Sequence, residues 1–221
     1  MATASAKAYK GMGMEGMVAK WYATNTRKSL DEFKVLAQRV SSELPAGSSV
    51  LEVAPGPGYF AIELAKLGSY RVTGLDISKT FVEIASRNAK EAQVGVDFRQ
   101  GNASDMPLEN DSFQFILCRA AFKNFSDPVG ALQEMYRVLT PGGQGLIIDL
   151  RKDAPASGIA QAVDQMGLNT INAIFTKLAL KSLRNRAYTG NQFREFFART
   201  GFHTAEIRED PLGFEIRFQK R

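Results

Sequence analysis

The chain has 221 residues, of which 44% are hydrophobic and 23% charged, and its formal net charge is +5. This composition fits one globular α/β domain, no run approaches the roughly 20 apolar residues of a membrane span, and one cysteine (Cys118) with one histidine (His203) excludes an internal disulfide and a Cys- or His-based metal cluster. The positive charge suits solubility or an acidic partner, but no dense Lys/Arg run or recognition module points to nucleic acid.

Residues 1–28, rich at their start in Gly, Met, Ala and Lys, read as a mobile arm. They lack the apolar centre of a signal peptide, so the expected compartment is the cytoplasm. Met12, Met14 and Met17, interleaved with glycines, could fold over a site or remain a disordered arm. Ser29 followed by Glu32 forms a capping-box pattern and predicts that a helix opens there. Leu30, Phe33, Leu36, Val40 and Leu44 bury one face of it, and Pro45-Ala46-Gly47 ends it.

Strands and helices then alternate. Val50–Val53 reads as a strand, Tyr59–Leu67 as a helix with Gly68 as its C-cap, and Tyr70–Leu75 as the next strand. Ser78 caps a helix to about Ala92, and Val94, Val96 and Phe98 alternate as a strand. Phe113–Cys118 is a continuous apolar run, as in a strand buried on both faces. Asp127-Pro128 starts a helix, and Pro141-Gly142-Gly143 turns into the strand Gly145–Leu150. Residues 151–190 break the rhythm with a helical stretch carrying Leu168, Ile171, Ile174, Phe175 and Leu178. A helix at Asn191–Thr200 precedes two close strands, Phe202–Glu209 and Gly213–Gln219, whose spacing implies an antiparallel hairpin.

The predicted fold is α/β, a doubly wound Rossmann-like seven-stranded sheet, mostly parallel with an antiparallel C-terminal hairpin strand. Residues 29–221 form the single domain, and 151–190 insert a helical lid. Ligands of such sheets sit beyond the carboxyl ends of the strands, near the switch in strand order.

The most informative segment is the strand-to-helix bend Gly56-Pro57-Gly58, followed 20 residues after Gly56 by Asp76 at the end of the next strand. Glycines let a backbone approach a ligand, and a carboxylate at that place can accept both hydroxyl protons of a ribose. The bend alone equally fits the dinucleotide fingerprint of an NAD(P)-dependent oxidoreductase. Glu52, two residues before the loop, favours a cationic ligand group over a pyrophosphate. Gly101-Asn102-Ala103 offers polar groups to an adenine edge after the third strand, and the terminal hairpin is unusual in dinucleotide-binding domains.

Glu52-x-Ala54-x-Gly56-x-Gly58, Gly74-Leu75-Asp76-Ile77-Ser78, Gly101-Asn102-Ala103, Phe113-Gln114-Phe115-Ile116-Leu117 and Arg137-Val138-Leu139-x-Pro141-Gly142-Gly143 occur in that order. Together they resemble the class I S-adenosylmethionine-dependent methyltransferases, in particular the branch with the ubiquinone/menaquinone C-methyltransferases. The resemblance spans about residues 18 to 221. It implies a donor, S-adenosylmethionine, with ammonium and sulfonium charges, and S-adenosylhomocysteine as product. It implies that Ala54, Pro55, Gly56 and Gly58 pack against the donor with Glu52 near its amino end. Asp76 would hold the ribose, Ile77 would pack on the adenine, and Gly101, Asn102 and Ala103 would border the adenine edge. Arg119 would lie by the methionine portion, and Tyr22 would close over the donor. Trp21, Phe122, Lys123 and Tyr188 are candidates for the acceptor side. The family usually has glycine where Ala54 stands, a change tolerated if the backbone there avoids positive φ.

No general base is assigned. His203 reads as structural, the loop Arg119–Phe125 has no histidine, and Lys123 reads as solvated. The loop also lacks the Asp/Asn-Pro-Pro-aromatic motif of amino-group methylation. By elimination the expected acceptor is already nucleophilic, such as a ring nitrogen, thiolate or carbanion-like carbon, and the resemblance implies a small molecule. Lys177, Lys181, Arg184 and Arg186 read either as a solvated face complementing a helix C-terminus or as recognition of an anionic acceptor. A non-catalytic S-adenosylmethionine-binding protein is the other alternative. Oligomeric state is not readable from the sequence.

Overall fold

The computed structural model describes residues 9, 10, 13–165, 177 and 180–221. Helix α1 (Gly16–Thr26) passes through a 3-10 turn (Arg27–Ser29) into α2 (Leu30–Glu43). There follow β1 (Ser49–Val53), α3 (Tyr59–Lys66), β2 (Arg71–Asp76), α4 (Lys79–Glu91), β3 (Val96–Gln100) and β4 (Phe113–Arg119). After a 3-10 turn (Phe122–Asn124) come α5 (Pro128–Val138), β5 (Leu139–Leu150), α6 (Ala156–Gln165), α7 (Gly190–Ala198), β6 (Glu206–Glu209) and β7 (Gly213–Gln219). Residues 180–186 are also helical.

The seven strands form one sheet in the order β3-β2-β1-β4-β5-β7-β6. The first five pair in parallel, and β7 lies antiparallel to both β5 and β6. The direction of strand addition reverses between β1 and β4, which opens a crevice at their carboxyl ends. Both strands are apolar because both faces are covered; every residue of β1 is buried. On one face Phe33, Leu36 and Val40 of α2 and Phe60 and Leu64 of α3 pack on Val50, Phe115, Leu117 and Leu146. On the other, Leu132, Met135 and Val138 of α5 and Phe193 and Phe197 of α7 pack on Leu51, Ile116, Ile147 and Ile216.

Several sequence expectations need correction. The segment read as an arm contains α1, whose Ala19 and Ala23 pack with Phe81 and Ile84 of α4 and with Met14. Because α1 and the 3-10 turn deliver the chain already helical, Ser29 makes no side-chain cap. A capping box does form at α7: Thr189 Oγ1 accepts from Gln192 N at 3.2 Å, and Gln192 Oε1 accepts from Thr189 N at 3.0 Å. Gly68 is not a left-handed cap; Leu67 ends α3 at φ −84°. The expected turn at residues 141–143 is absorbed into β5, which begins at Leu139 and shifts register opposite Phe113 and Phe115. β3 begins at Val96 and β6 at Glu206, later than expected, with His203 in a turn at φ 60°. Met12 and the apolar series Leu168, Ile171, Ile174, Phe175 and Leu178 lie outside the described residues. Among the described residues no helix is long and apolar enough to cross a membrane.

Candidate functional site

The carboxyl end of β1 turns sharply. Ala54 N donates to the carbonyl of Leu75 at 2.7 Å, tying the bend to β2. Ala54, Gly56 and Gly58 all take positive φ, at 58°, 54° and 78°. Glycine is needed at Gly58 for a second reason: a Cβ there would lie 2.6 Å from the ring of Phe98. At Gly56 the space is open, with Tyr22 Cε1 3.9 Å from where a Cβ would stand, so the Tyr22 ring lies over the bend. Ala54 does not meet the condition under which alanine is free of cost there, since its backbone is at positive φ. An L-residue in that region bears a strain of about 1–2 kcal/mol, held here by the Leu75 hydrogen bond.

Two carboxylates lie under the bend. Asp76 Oδ2 accepts from Gly56 N at 3.0 Å and Oδ1 from Ser78 N at 2.9 Å. Glu52 Oε2 accepts from Ala61 N in the first turn of α3 at 3.1 Å. Both are buried. Burial pushes Glu52 up to about 8; the Ala61 amide and the Arg119 charge oppose this, and Asp76 adds to it. Burial likewise pushes Asp76 up to about 6, against the amides of Ser78 and Gly56. A cation beside Glu52 would favour its ionised form, whereas the Gly56 and Ser78 amides already favour that of Asp76.

Described residues of the N-terminal segment meet both edges of the crevice. At one end Tyr9 bridges Phe125, and Lys10 N donates to the carbonyl of Asn124 at 2.6 Å, on the loop after β4. At the other, Ser78 Oγ donates to the carbonyl of Met14 at 2.6 Å. The Glu15 carboxylate accepts from Lys79 N at 3.0 Å and Thr80 N at 3.1 Å. Glu15 thus caps the first turn of α4 from outside that helix. Tyr22 stacks edge-on against Phe81 at 5.7 Å, and Tyr59 Oη donates to the carbonyl of Ala23 at 2.9 Å, fixing α1 beside the bend.

Beyond β3, Gly101 N donates to the carbonyl of Asp76 at 2.9 Å, and Asn102 Oδ1 accepts from Ser104 N at 3.1 Å. Beyond β4, Ala120 also has positive φ, at 58°. Lys123 is buried, not solvated: Nζ pairs with Asp149 Oδ1 at 3.0 Å and donates to the carbonyl of Ala120. Asp149 Oδ2 accepts from Lys123 N at 2.8 Å, so one carboxylate fixes both ends of this residue. Asn124 Oδ1 on the same loop is buried without a partner.

The family model for a methyltransferase domain matches residues 51–147, which hold the bend, both acids and the loop after β4. The domain is of the class I S-adenosylmethionine-dependent methyltransferase type. It is 27% identical over 207 residues to a demethylmenaquinone methyltransferase of Staphylococcus haemolyticus, covering 88% of this chain and 85% of that protein. A demethylmenaquinone methyltransferase of Deinococcus radiodurans is 37% identical over 115 residues, 52% of this chain; this chain spans about half (47%) of its length. A solved Methanococcus maripaludis structure of the S-adenosyl-L-methionine-dependent methyltransferase type superimposes with a TM-score of 0.74 at 22% identity, covering 96% and 95% of the two chains. At that identity the likeness speaks for the fold.

The methyltransferase fold brings Tyr22, Glu52, Ala54, Pro55, Gly56, Gly58 and Asp76 together, and Ile77, 36% exposed, borders them. Gly101, Asn102 and Ala103 stand at the end of the neighbouring strand β3. Arg119 leans toward α2: it pairs with Glu32 at 2.7 Å and lies 4.4 Å from the centre of the Phe33 ring. It lines a groove of about 520 Å³ with Leu36, Arg39, Ile148 and Glu215. Of the acceptor-side candidates, Trp21 is 67% exposed on α1, whereas Phe122 is fully buried against Phe125 and Phe193. Tyr188 is buried, donates to the carbonyl of Phe125 at 3.0 Å, and is pushed up to about 12 by burial, Asp127 and Asp149. Glu15 and Asp149 escaped the sequence reading because their partners are distant in the chain, and Asn124 because only the fold buries its Oδ1.

Proposed function

We propose that this chain transfers a methyl group from S-adenosylmethionine to a small-molecule acceptor. The observation that carries this reading is the pair of buried acids, Glu52 and Asp76, at the glycine bend: a cation beside Glu52 favours its ionised form, and Asp76, held by the Gly56 and Ser78 amides, keeps lone pairs for ribose hydroxyls. The Asp76 carboxylate would repel a pyrophosphate. Glu52 would face the donor's amino end, Asp76 its ribose, Ile77 its adenine and Tyr22 its outer side. The donor, when bound, supplies a methyl group already activated on sulfonium. The chain's own part is positioning: alignment of the reacting atoms supplies roughly 7–11 kcal/mol.

Acceptor binding is assigned to the loop after β4. Lys123 is locked to Asp149 and does not serve as a base there, which favours an acceptor that is already nucleophilic. Asn124 Oδ1 is left to accept a hydrogen bond from it. Relatives named as demethylmenaquinone methyltransferases support an aromatic, quinol-like ring. The test is incubation with methyl-labelled donor and a panel of hydroquinones, thiols and ring nitrogens. Labelled product with stoichiometric S-adenosylhomocysteine is expected; absence of both turnover and donor binding would overturn the reading.

A further inference from the structure

Where the N-terminal segment meets the end of β5, three cations, Lys10, Lys152 and Arg186, come together about Tyr188, with Arg184 on the neighbouring turn. Lys10 Nζ donates to Tyr188 Oη at 2.5 Å and lies 3.9 Å from the centre of that ring. The Arg186 guanidinium donates to the carbonyl of Lys10 at 3.5 Å. Lys152 N donates to the carbonyl of Tyr188 at 3.0 Å, and Arg184 to that of Ala154 at 2.8 Å. Burial first, and the charge of Lys152 second, hold the Lys10 ammonium below its ordinary range.

Of the acids nearby, Asp127 acts on Tyr188 while its Oδ1 accepts from Gly130 N, and the others stand in ion pairs. Arg151 takes Asp153 and Glu209, Lys177 takes Asp164, and Lys123 takes Asp149. Among the described residues no ion pair reaches Lys10, Lys152, Arg184 or Arg186. A half-buried lysine fixed over an aromatic ring beside other cations differs from a solvated basic surface, because its repulsion is not dissipated by water. Its position is also specific: Lys10 N and Tyr188 Oη bond to the carbonyls of Asn124 and Phe125, on the loop assigned to the acceptor.

We propose that Lys10, Lys152 and Arg186 bind an anionic group, a carboxylate or a phosphate, carried by the methyl acceptor. This rests on the acceptor lying at the loop after β4, as argued above. Bound there, the anion bridges Lys10 to the turn after β5.

Calorimetry with inorganic phosphate and with benzoate, on protein loaded with S-adenosylhomocysteine, tests the proposal. Saturable binding is expected, weakened about tenfold or more by Lys152→Glu and by Arg186→Gln, since each removes a charge-assisted contact. Tighter binding of phosphate assigns a phosphorylated acceptor, and of benzoate a carboxylated one. Lys152 is exposed, so its variant folds, and S-adenosylhomocysteine affinity within about twofold of the parent confirms an intact donor site. Anions that ignore the parent protein, or bind parent and variants alike, would overturn the proposal. Failure to retain S-adenosylhomocysteine would strike the donor-site reading instead, and the same anion titration on the unloaded protein would still decide this one.

Discussion

Asp76 Oδ2 accepts the amide hydrogen of Gly56 at 3.0 Å, so the acid ending β2 and the glycine bend ending β1 form one unit. A carboxylate with two oxygens has further lone pairs for a ribose while it holds this amide. Asp76→Ala should therefore loosen the bend and remove the ribose acceptor together. Affinity for S-adenosylhomocysteine is expected to fall by a few kcal/mol in calorimetry on a folded variant. Unchanged affinity would remove Asp76 from the donor site.

Ala54 sits at φ 58°. Ala54→Gly should relieve left-handed strain, offset in part by the greater freedom of glycine in the unfolded chain, for a net gain of about 0.5–1 kcal/mol. Gly58→Ala should do the reverse and cost about 2 kcal/mol or more, because positive φ and the Phe98 ring both oppose it. Denaturant midpoints at constant slope measure both.

Glu52 is pushed up to about 8 by burial, from an ordinary carboxylate value of 4.5. A raised folded-state value means that its stabilising effect is full below 4.5 and is lost as pH rises through about 8. The unloaded protein should thus lose stability across that window, and Glu52→Gln should flatten the loss. A cationic donor favours ionised Glu52, so donor affinity should rise with pH over the same range. Calorimetry near neutral pH in two buffers of different ionisation enthalpy should report proton release, and equal heats would exclude it.

Lys123 and Asp149 form a pair with side chains only 4% and 1% exposed. Lys123→Met leaves Asp149 buried without its counter-charge and should cost about 3–5 kcal/mol. Adding Asp149→Asn should restore part of this, a non-additivity that a double-mutant cycle reads directly. Strictly additive losses would show that the two side chains do not depend on each other.

Much of this was legible in the sequence because it is local. The strand–bend–helix around Gly56, the Ser78 cap on Phe81 N and the Asp127 cap on Gly130 N each follow from residues a few positions apart. The acid at Asp76 was legible from its place at the end of β2. What stayed hidden is tertiary. Helix α1 has no side-chain cap and buries only Ala19 and Ala23, so no apolar stripe announces it. Glu15 caps a helix some sixty residues away, with partners at Lys79 and Thr80. Lys123 reads as an ordinary loop lysine until β5 brings Asp149 beneath it.

Titration of the purified chain with S-adenosylhomocysteine, with NAD(H) as the control ligand, tests the central claim most directly. Saturable binding of S-adenosylhomocysteine that raises the melting temperature, with no response to NAD(H), is the expected result. Stabilisation by NAD(H) alone, or indifference to S-adenosylhomocysteine, would contradict the assignment of the bend between Glu52 and Asp76 to a sulfonium nucleoside.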